Sequence, residues 1–210
     1  MLSRAQGIAT LAVIAAGIAV LGGVYGMSGA SGNGANQACS GSEARAAALE
    51  GANVGAVAAM ATVAAPRYLG DLVFRSREGA EQKLSDWKGR TVLLNLWATW
   101  CAPCREEMPA LASLQKQMGG EHFEVVPVSI DMGSADKPLA FYREHGLDDL
   151  GFHHDGSMGV FNAVKKQGLA FGLPATMLID PKGCVIGAMN GPADWASRDA
   201  INLVARATGG

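Results

Sequence analysis

Charge is scarce in this sequence. Asp, Glu, Lys and Arg make up 17% of the 210 residues, and the net charge is −2. No block of five or six like charges occurs. A basic footprint for nucleic acid is therefore excluded, and so is a charged interaction tail. Histidine is nearly as sparse: the four, at 122, 145, 153 and 154, have no ligand spacing to one another. Only one C-x-x-C is present, whereas a structural zinc site needs two close pairs or one pair with nearby histidines. No metal site is expected, and His153-His154 reads as a surface or strand-edge pair. There is no internal repeat either.

What the chain does have is apolar residues, 49% of the total. Part of that excess sits at the start. Ile8 to Tyr25 (IATLAVIAAGIAVLGGVY) carries no charge. As a helix it would span about 27 Å at ~1.5 Å per residue, close to the ~30 Å hydrocarbon core. Residues 8–25 are expected to be a transmembrane anchor, with 1–7 cytoplasmic, Arg4 on the inner side, and 26–38 a flexible Gly/Ser-rich linker. Ser28-Gly29-Ala30 offers small residues for signal cleavage, so a signal peptide is the alternative. In both cases the remainder crosses the membrane into a compartment that permits disulfides.

From Ser42 the run SEARAAALEGANVGAVAAMA predicts a helix, closed by Pro66. Residues 39–66 are thus expected to be a helical extension, and 67–210 the main domain. DLVFR (71–75) and residues 81–84 flank the turn SREGA, as a hairpin would. Ser85 to Gly89 reads as one helical turn. TVLLNLWA (91–98) and FEVVPVSID (123–131) are continuous apolar runs, as in strands buried on both faces. Helices are expected over 102–118, 136–145, 157–166 and 194–207. In the first of these, Met108, Leu111, Leu114 and Met118 form the core stripe and Pro109 predicts a kink. ATMLID (175–180) and CVIGAMN (184–190) form a second hairpin around PKG. Strands and helices in this order give an α/β fold, a mixed central sheet covered by helices on both faces.

The four cysteines are Cys39, Cys101, Cys104 and Cys184, and four cysteines allow three pairings. The spacing adds information. Cys101 and Cys104 flank Ala102-Pro103 where a helix opens directly after a buried strand. A thiol in a first helical turn faces unpaired N–H groups and the positive dipole end, which favour thiolate. Cys101 is expected to be the exposed attacking sulfur and Cys104 the buried resolving one. Trp97 and Trp100 would shield the pair, Trp97 from within the core. Cu(I) held by the reduced pair is the non-enzymatic alternative, because soft thiolates suit it. Cys39 and Cys184 remain as a structural pair tying the extension to the last hairpin. That bridge closes a loop of about 145 residues, for which chain entropy predicts more than the ~4.7 kcal/mol of a 100-residue loop.

LLNLWATWCAPCREEMPAL and GLPATMLIDPKGCVIG together resemble the TlpA/ResA/CcmG group of membrane-anchored, thioredoxin-like thiol-disulfide oxidoreductases. The resemblance runs over residues 67 to 209. Cys39/Cys184, the N-terminal helix and the ending GPADWAS are similar to the TlpA branch of that group. The resemblance implies a thioredoxin-like fold with an added N-terminal helix and β-hairpin, and no cofactor. It implies a cis peptide at Leu173-Pro174 beside the active disulfide, where backbone groups can pair with an extended client. Asn95 falls where ordinary thioredoxins carry a buried aspartate. Glu107 matches an acid that tunes the thiols in ResA-like members; otherwise it is a solvated glutamate beside Glu106.

The group implies a reductant at the periplasmic face of a bacterial inner membrane, fed by a transmembrane thiol reductant. Its implied clients are copper-delivery proteins and the CuA-bearing subunit of cytochrome oxidase. Reduction of apocytochrome c thiols is the alternative within the group. A peroxidase on a related fold would carry P-x-x-x-T-x-x-C, but here Thr99 directly precedes Trp100-Cys101 and the proline is missing.

Overall fold

The computed structural model describes residues 37–209. The expected cytoplasmic start (1–7), the anchor over 8–25 and most of the linker lie outside the described residues. Among the described residues, no helix is long and apolar enough to cross a membrane.

Eight strands form one mixed sheet in the order β1-β8-β7-β4-β5-β6-β2-β3. The strands are β1 (Ala61–Tyr68), β2 (Val73–Ser76), β3 (Glu81–Lys83), β4 (Thr91–Trp97), β5 (Phe123–Ser129), β6 (His153–His154), β7 (Ala175–Ile179) and β8 (Cys184–Asn190). The helices are α1 (Ser42–Ala47), α2 (Ala102–Met118), α3 (Asp136–His145), α4 (Gly159–Lys166) and α5 (Arg198–Thr208).

β4 is the centre, and all seven of its residues are buried. It runs parallel to β5 and antiparallel to β7. Side chains alternate across a strand, so Leu93 and Trp97 enter one core while Val92, Leu94 and Leu96 enter the other. The first core packs against α2 and α5 through Met108, Leu111, Leu203 and Val204. The second is covered by α4 through Val160 and Val164. Asn95 shares the α2 side of β4, a polar residue in an apolar stripe. On α2, Cys104, Glu107, Met108, Leu111 and Leu114 are buried, the i, i+3, i+4, i+7 rhythm of a helix laid on a sheet. The helix continues unbroken through Pro109, which lies on its exposed side.

Two expectations are corrected. The helix from Ser42 ends at Ala47; after a 3-10 turn at Gly55–Val57 the chain enters β1. Gly51 and Gly55 take positive φ, +78° and +52° respectively, which a continuing right-handed helix does not contain. Pro66 does not close a helix but lies within β1. There the pairing with β8 slips between Thr62 and Arg67, the kind of edge irregularity that accepts proline. The boundary expected at 66/67 therefore cuts a continuous strand. His153-His154 is also not a surface pair: both are buried, and they form an internal strand between β5 and β2.

The extension is fastened to the β7–β8 turn. Cys39 is bonded to Cys184, with Cα atoms 5.6 Å apart. Ser42 Oγ donates to Asp180 Oδ2 at 2.6 Å, and Lys182 Nζ donates to the Ser40 carbonyl at 2.5 Å.

Candidate active site

Cys101 is the N-cap of α2, in extended backbone, and it is joined to Cys104 in a disulfide with Cα atoms 5.3 Å apart. Its Sγ accepts from the Cys104 N–H at 3.3 Å. Pro103 stands in the first turn, where a missing N–H leaves no intrahelical bond unmade. Cys101 is not exposed as expected: both cysteines are buried, Cys101 keeping 7% of its residue surface and Cys104 none. Cys101 is largely covered because its sulfur is bonded inward to a core residue. Trp97 is fully buried and packs on Phe141 and Tyr142, whereas Trp100 is 64% exposed beside Cys101.

The Leu173–Pro174 peptide is cis. Ala175 pairs with Leu96, so the register puts Pro174 at the same sheet end as Trp97 and the Cys101 loop. Pro174 is buried and its carbonyl accepts from Gly191 N–H at 2.9 Å; Leu173 is half-buried.

Glu107 is not a solvated helix glutamate. It is 3% exposed, one turn beyond Cys104 on α2. Its Oε1 accepts from Asn95 Nδ2 at 2.8 Å, and its Oε2 accepts from Trp195 Nε1 at 3.0 Å and Ala193 N–H at 3.2 Å. Burial pushes its pKa from 4.5 up to about 7, against the opposing pull of the Asn95, Trp195 and Ala193 hydrogen bonds. Glu107 also lines a shallow cleft with Pro103, Glu106, Ala110, Pro192, Ala193 and Asp194. Asn95 donates to Thr176 Oγ1 as well, at 3.0 Å, while its Oδ1 is buried without a partner.

Trp195 escaped the residue-by-residue reading. It stands 88 positions from Glu107, and only the ending GPADWAS drew attention to it. The buried carboxylate with its indole donor is thus built from three distant stretches: the middle of β4, the first turns of α2 and the loop before α5. Among the described residues no group of three or more His, Cys, Asp or Glu is arranged to hold a metal ion.

The redoxin family model matches residues 56–203. The chain belongs to the redoxin family. Within it the chain is of the ResA type. It is 30% identical to the thiol-disulfide oxidoreductase ResA of Bacillus subtilis over 138 residues, covering 64% of this chain and 72% of ResA. It is 32% identical to the thioredoxin-like protein YneN of the same organism over 120 residues, 55% of this chain and 65% of YneN. Among solved structures, the thiol:disulfide interchange protein DsbE from Chlorobium tepidum superposes with a TM-score of 0.59 at 25% identity, covering 68% of this redoxin and 96% of DsbE. These matches establish the thioredoxin-like fold. α1 and the stapled Cys39 lie before the redoxin match, whereas β1 falls within it.

Proposed function

We propose that this redoxin reduces disulfides in client proteins, with Cys101 the attacking thiol and Cys104 the resolving one. The observation that carries the reading is the asymmetry of the pair: the cysteine that keeps some residual surface caps a helix N-terminus next to the exposed Trp100, and its partner lies wholly in the core. In the reduced enzyme, the Cys101 thiolate attacks one sulfur of a client disulfide. A mixed disulfide forms and the other client sulfur leaves as a thiolate. Cys104, deprotonated, then attacks the Cys101 sulfur. The client's second sulfur leaves, the Cys101–Cys104 bond closes, and two electrons have passed to the client. Glu107, with its pKa close to neutrality, is suited to take the Cys104 proton across the buried side of α2. Leu173-Pro174, at the same sheet end as the Cys101 loop, would pair with the client's extended backbone.

The clients we infer are copper-delivery proteins and the CuA-bearing oxidase subunit, whose cysteines must be reduced before copper binds. The similarity of Cys39/Cys184 and GPADWAS to the TlpA branch supports this choice. The same similarity supports a periplasmic location on a membrane anchor and a transmembrane thiol reductant as electron source. The testing experiment equilibrates the protein with dithiothreitol couples and follows tryptophan emission. A potential near or below about −270 mV fits a reductant, and one near about −120 mV fits a donor of disulfides and ends the copper-assembly reading.

A further inference from the structure

The segment that delivers Cys101 begins at Thr99, and every polar group of Thr99 is engaged. Its N–H donates to Asp131 Oδ2 at 2.9 Å and its hydroxyl to Asp131 Oδ1 at 2.5 Å. Its carbonyl accepts from Arg105 Nη1 at 3.1 Å, which ties the segment forward to α2. Asp131 follows the end of β5 and is 5% exposed. Ser129 Oγ donates to its Oδ2 at 2.8 Å, and the Asp131 carbonyl bonds His154 Nε2 at 2.8 Å. Among the described residues the one salt bridge is Arg90–Glu124, so no cation neutralises this carboxylate. Burying a carboxylate is costly unless donors surround it. Two of its three side-chain bonds are spent on Thr99, a residue with half-buried surface and no core role. A structural account of Thr99 alone leaves that expenditure without a reason.

We propose that Asp131 is a positioning residue for the reactive cysteine: acting through Thr99, it holds Trp100 and Cys101 against the first turn of α2 once the disulfide has opened. In the oxidised enzyme the bond to Cys104 fixes Cys101 covalently, and the clamp is redundant. In the reduced enzyme that tie is gone. The Cys101 sulfur must still stay by the Cys104 N–H, because that donor and its neighbours stabilise the thiolate. The remaining holds are Cys101 N–H to the Ala98 carbonyl at 3.1 Å, Arg105 N–H to the Cys101 carbonyl at 3.2 Å, the Arg105 side chain on the Thr99 carbonyl, and the Asp131–Thr99 clamp, the one that anchors the segment to the end of β5. The clamp therefore favours the reduced form over the oxidised one and keeps the thiolate aimed outward.

The inference rests on Cys101 as the attacking thiol, and its test uses the full chain with dithiobis(nitrobenzoate) as the disulfide probe. Thr99→Val is the deciding variant: it keeps the side-chain shape and the Asp131 charge and deletes one hydrogen bond. Losing one bond of ordinary strength slows the attack of the reduced protein on the probe about fivefold. Its equilibrium with dithiothreitol moves about threefold towards the oxidised protein, ~14 mV more negative at ~30 mV per tenfold. Thr99→Ser restores both values. Ser129→Ala, which loses a bond to the same carboxylate but none to Thr99, leaves both within about twofold. A purely structural clamp would lower the unfolding temperature of Thr99→Val with wild-type rate and equilibrium, and that result overturns the inference. If Cys101→Ser still reacts as the wild type does, the attacking-thiol reading falls and this inference with it. If Cys101→Ser is silent and Thr99→Val matches wild type, only the clamp falls.

Discussion

The two disulfides span nearly the same distance, with Cα atoms 5.3 Å apart in Cys101–Cys104 and 5.6 Å in Cys39–Cys184. Their surroundings differ in every respect that bears on reactivity. One closes a separation of 3 residues and the other a separation of 145. The short one sits on a helix N-terminus, with donors for a thiolate, an exposed tryptophan beside it and a buried acid one turn away. The long one joins the extension to the start of β8, and both of its cysteines are buried. Opening the long bridge restores the entropy of a large loop to the unfolded chain, while opening the short one restores little. The lesson is that the bond itself does not decide its use. Loop length and the groups that can hold a thiolate do.

The largest effect expected from that contrast is all-or-none. Cys101→Ser reduces client disulfides no faster than uncatalysed exchange, and Cys104→Ser accumulates mixed disulfides through Cys101, visible on non-reducing gels. The double variant Cys39→Ser/Cys184→Ser keeps reductase activity and instead loses about 2–5 kcal/mol of stability in urea unfolding. The contrast breaks if that double variant stays folded yet stops reducing clients.

Glu107 gives the next effect, smaller and pH-dependent. Its folded pKa, about 7, lies above the unfolded 4.5. Between those values the folded state holds a proton that the unfolded state has released, so this group's contribution to stability falls as pH rises. The loss reaches up to about 3 kcal/mol by pH 7 and does not grow further above it. Glu107→Gln removes that slope. His153 runs the other way: burial lowers its pKa to about 4, so its contribution falls as pH drops below 6.5. Subtracting the Glu107→Gln unfolding profile from wild type cancels the histidine and isolates the acid. The same variant slows release of the mixed disulfide roughly a hundredfold, the usual worth of a positioned acid-base group. A wild-type release rate in Glu107→Gln would leave the acid with a structural role.

The contrast between the disulfides also marks what the sequence made legible. The C-A-P-C motif, its helix and the buried strand before it were readable because local chemistry dictates them: an apolar run of strand length, then a proline in a first helical turn. α3 and β8 were found to the residue for the same reason. β1 was not, because an alanine-rich stretch has helical propensity, and only pairing with β8 makes it a strand. The two-residue β6 has no periodicity to read. Glu107 looked like half of a solvated Glu-Glu pair, since its burial depends on Trp195 and Ala193, far along the chain. Asp131 and Thr99 drew no attention as a pair, being 32 residues apart and joined only by the parallel β4–β5 register.

The smallest effect lies beside the long bridge and tests how local that bridge is. Ser42 Oγ donates to Asp180 Oδ2, and the Asp180 Oδ1 accepts from Lys182 N–H and Cys184 N–H. Ser42→Ala leaves the carboxylate with its two backbone donors, so the cost is that of one ordinary hydrogen bond, about 1 kcal/mol. The equilibrium of Cys101–Cys104 with dithiothreitol should not move, because β7 and β4 separate the two regions. The Cys39–Cys184 bond is also what places Ser42 over Asp180. In the Cys39→Ser/Cys184→Ser background the extension is released from β8, and Ser42→Ala should then cost close to nothing. A double-mutant cycle in urea reads that difference as a coupling energy. Strong coupling means the bridge organises the hydrogen bond, whereas simple additivity means the extension holds its place by packing of Leu49 and Met60 and the disulfide only locks it.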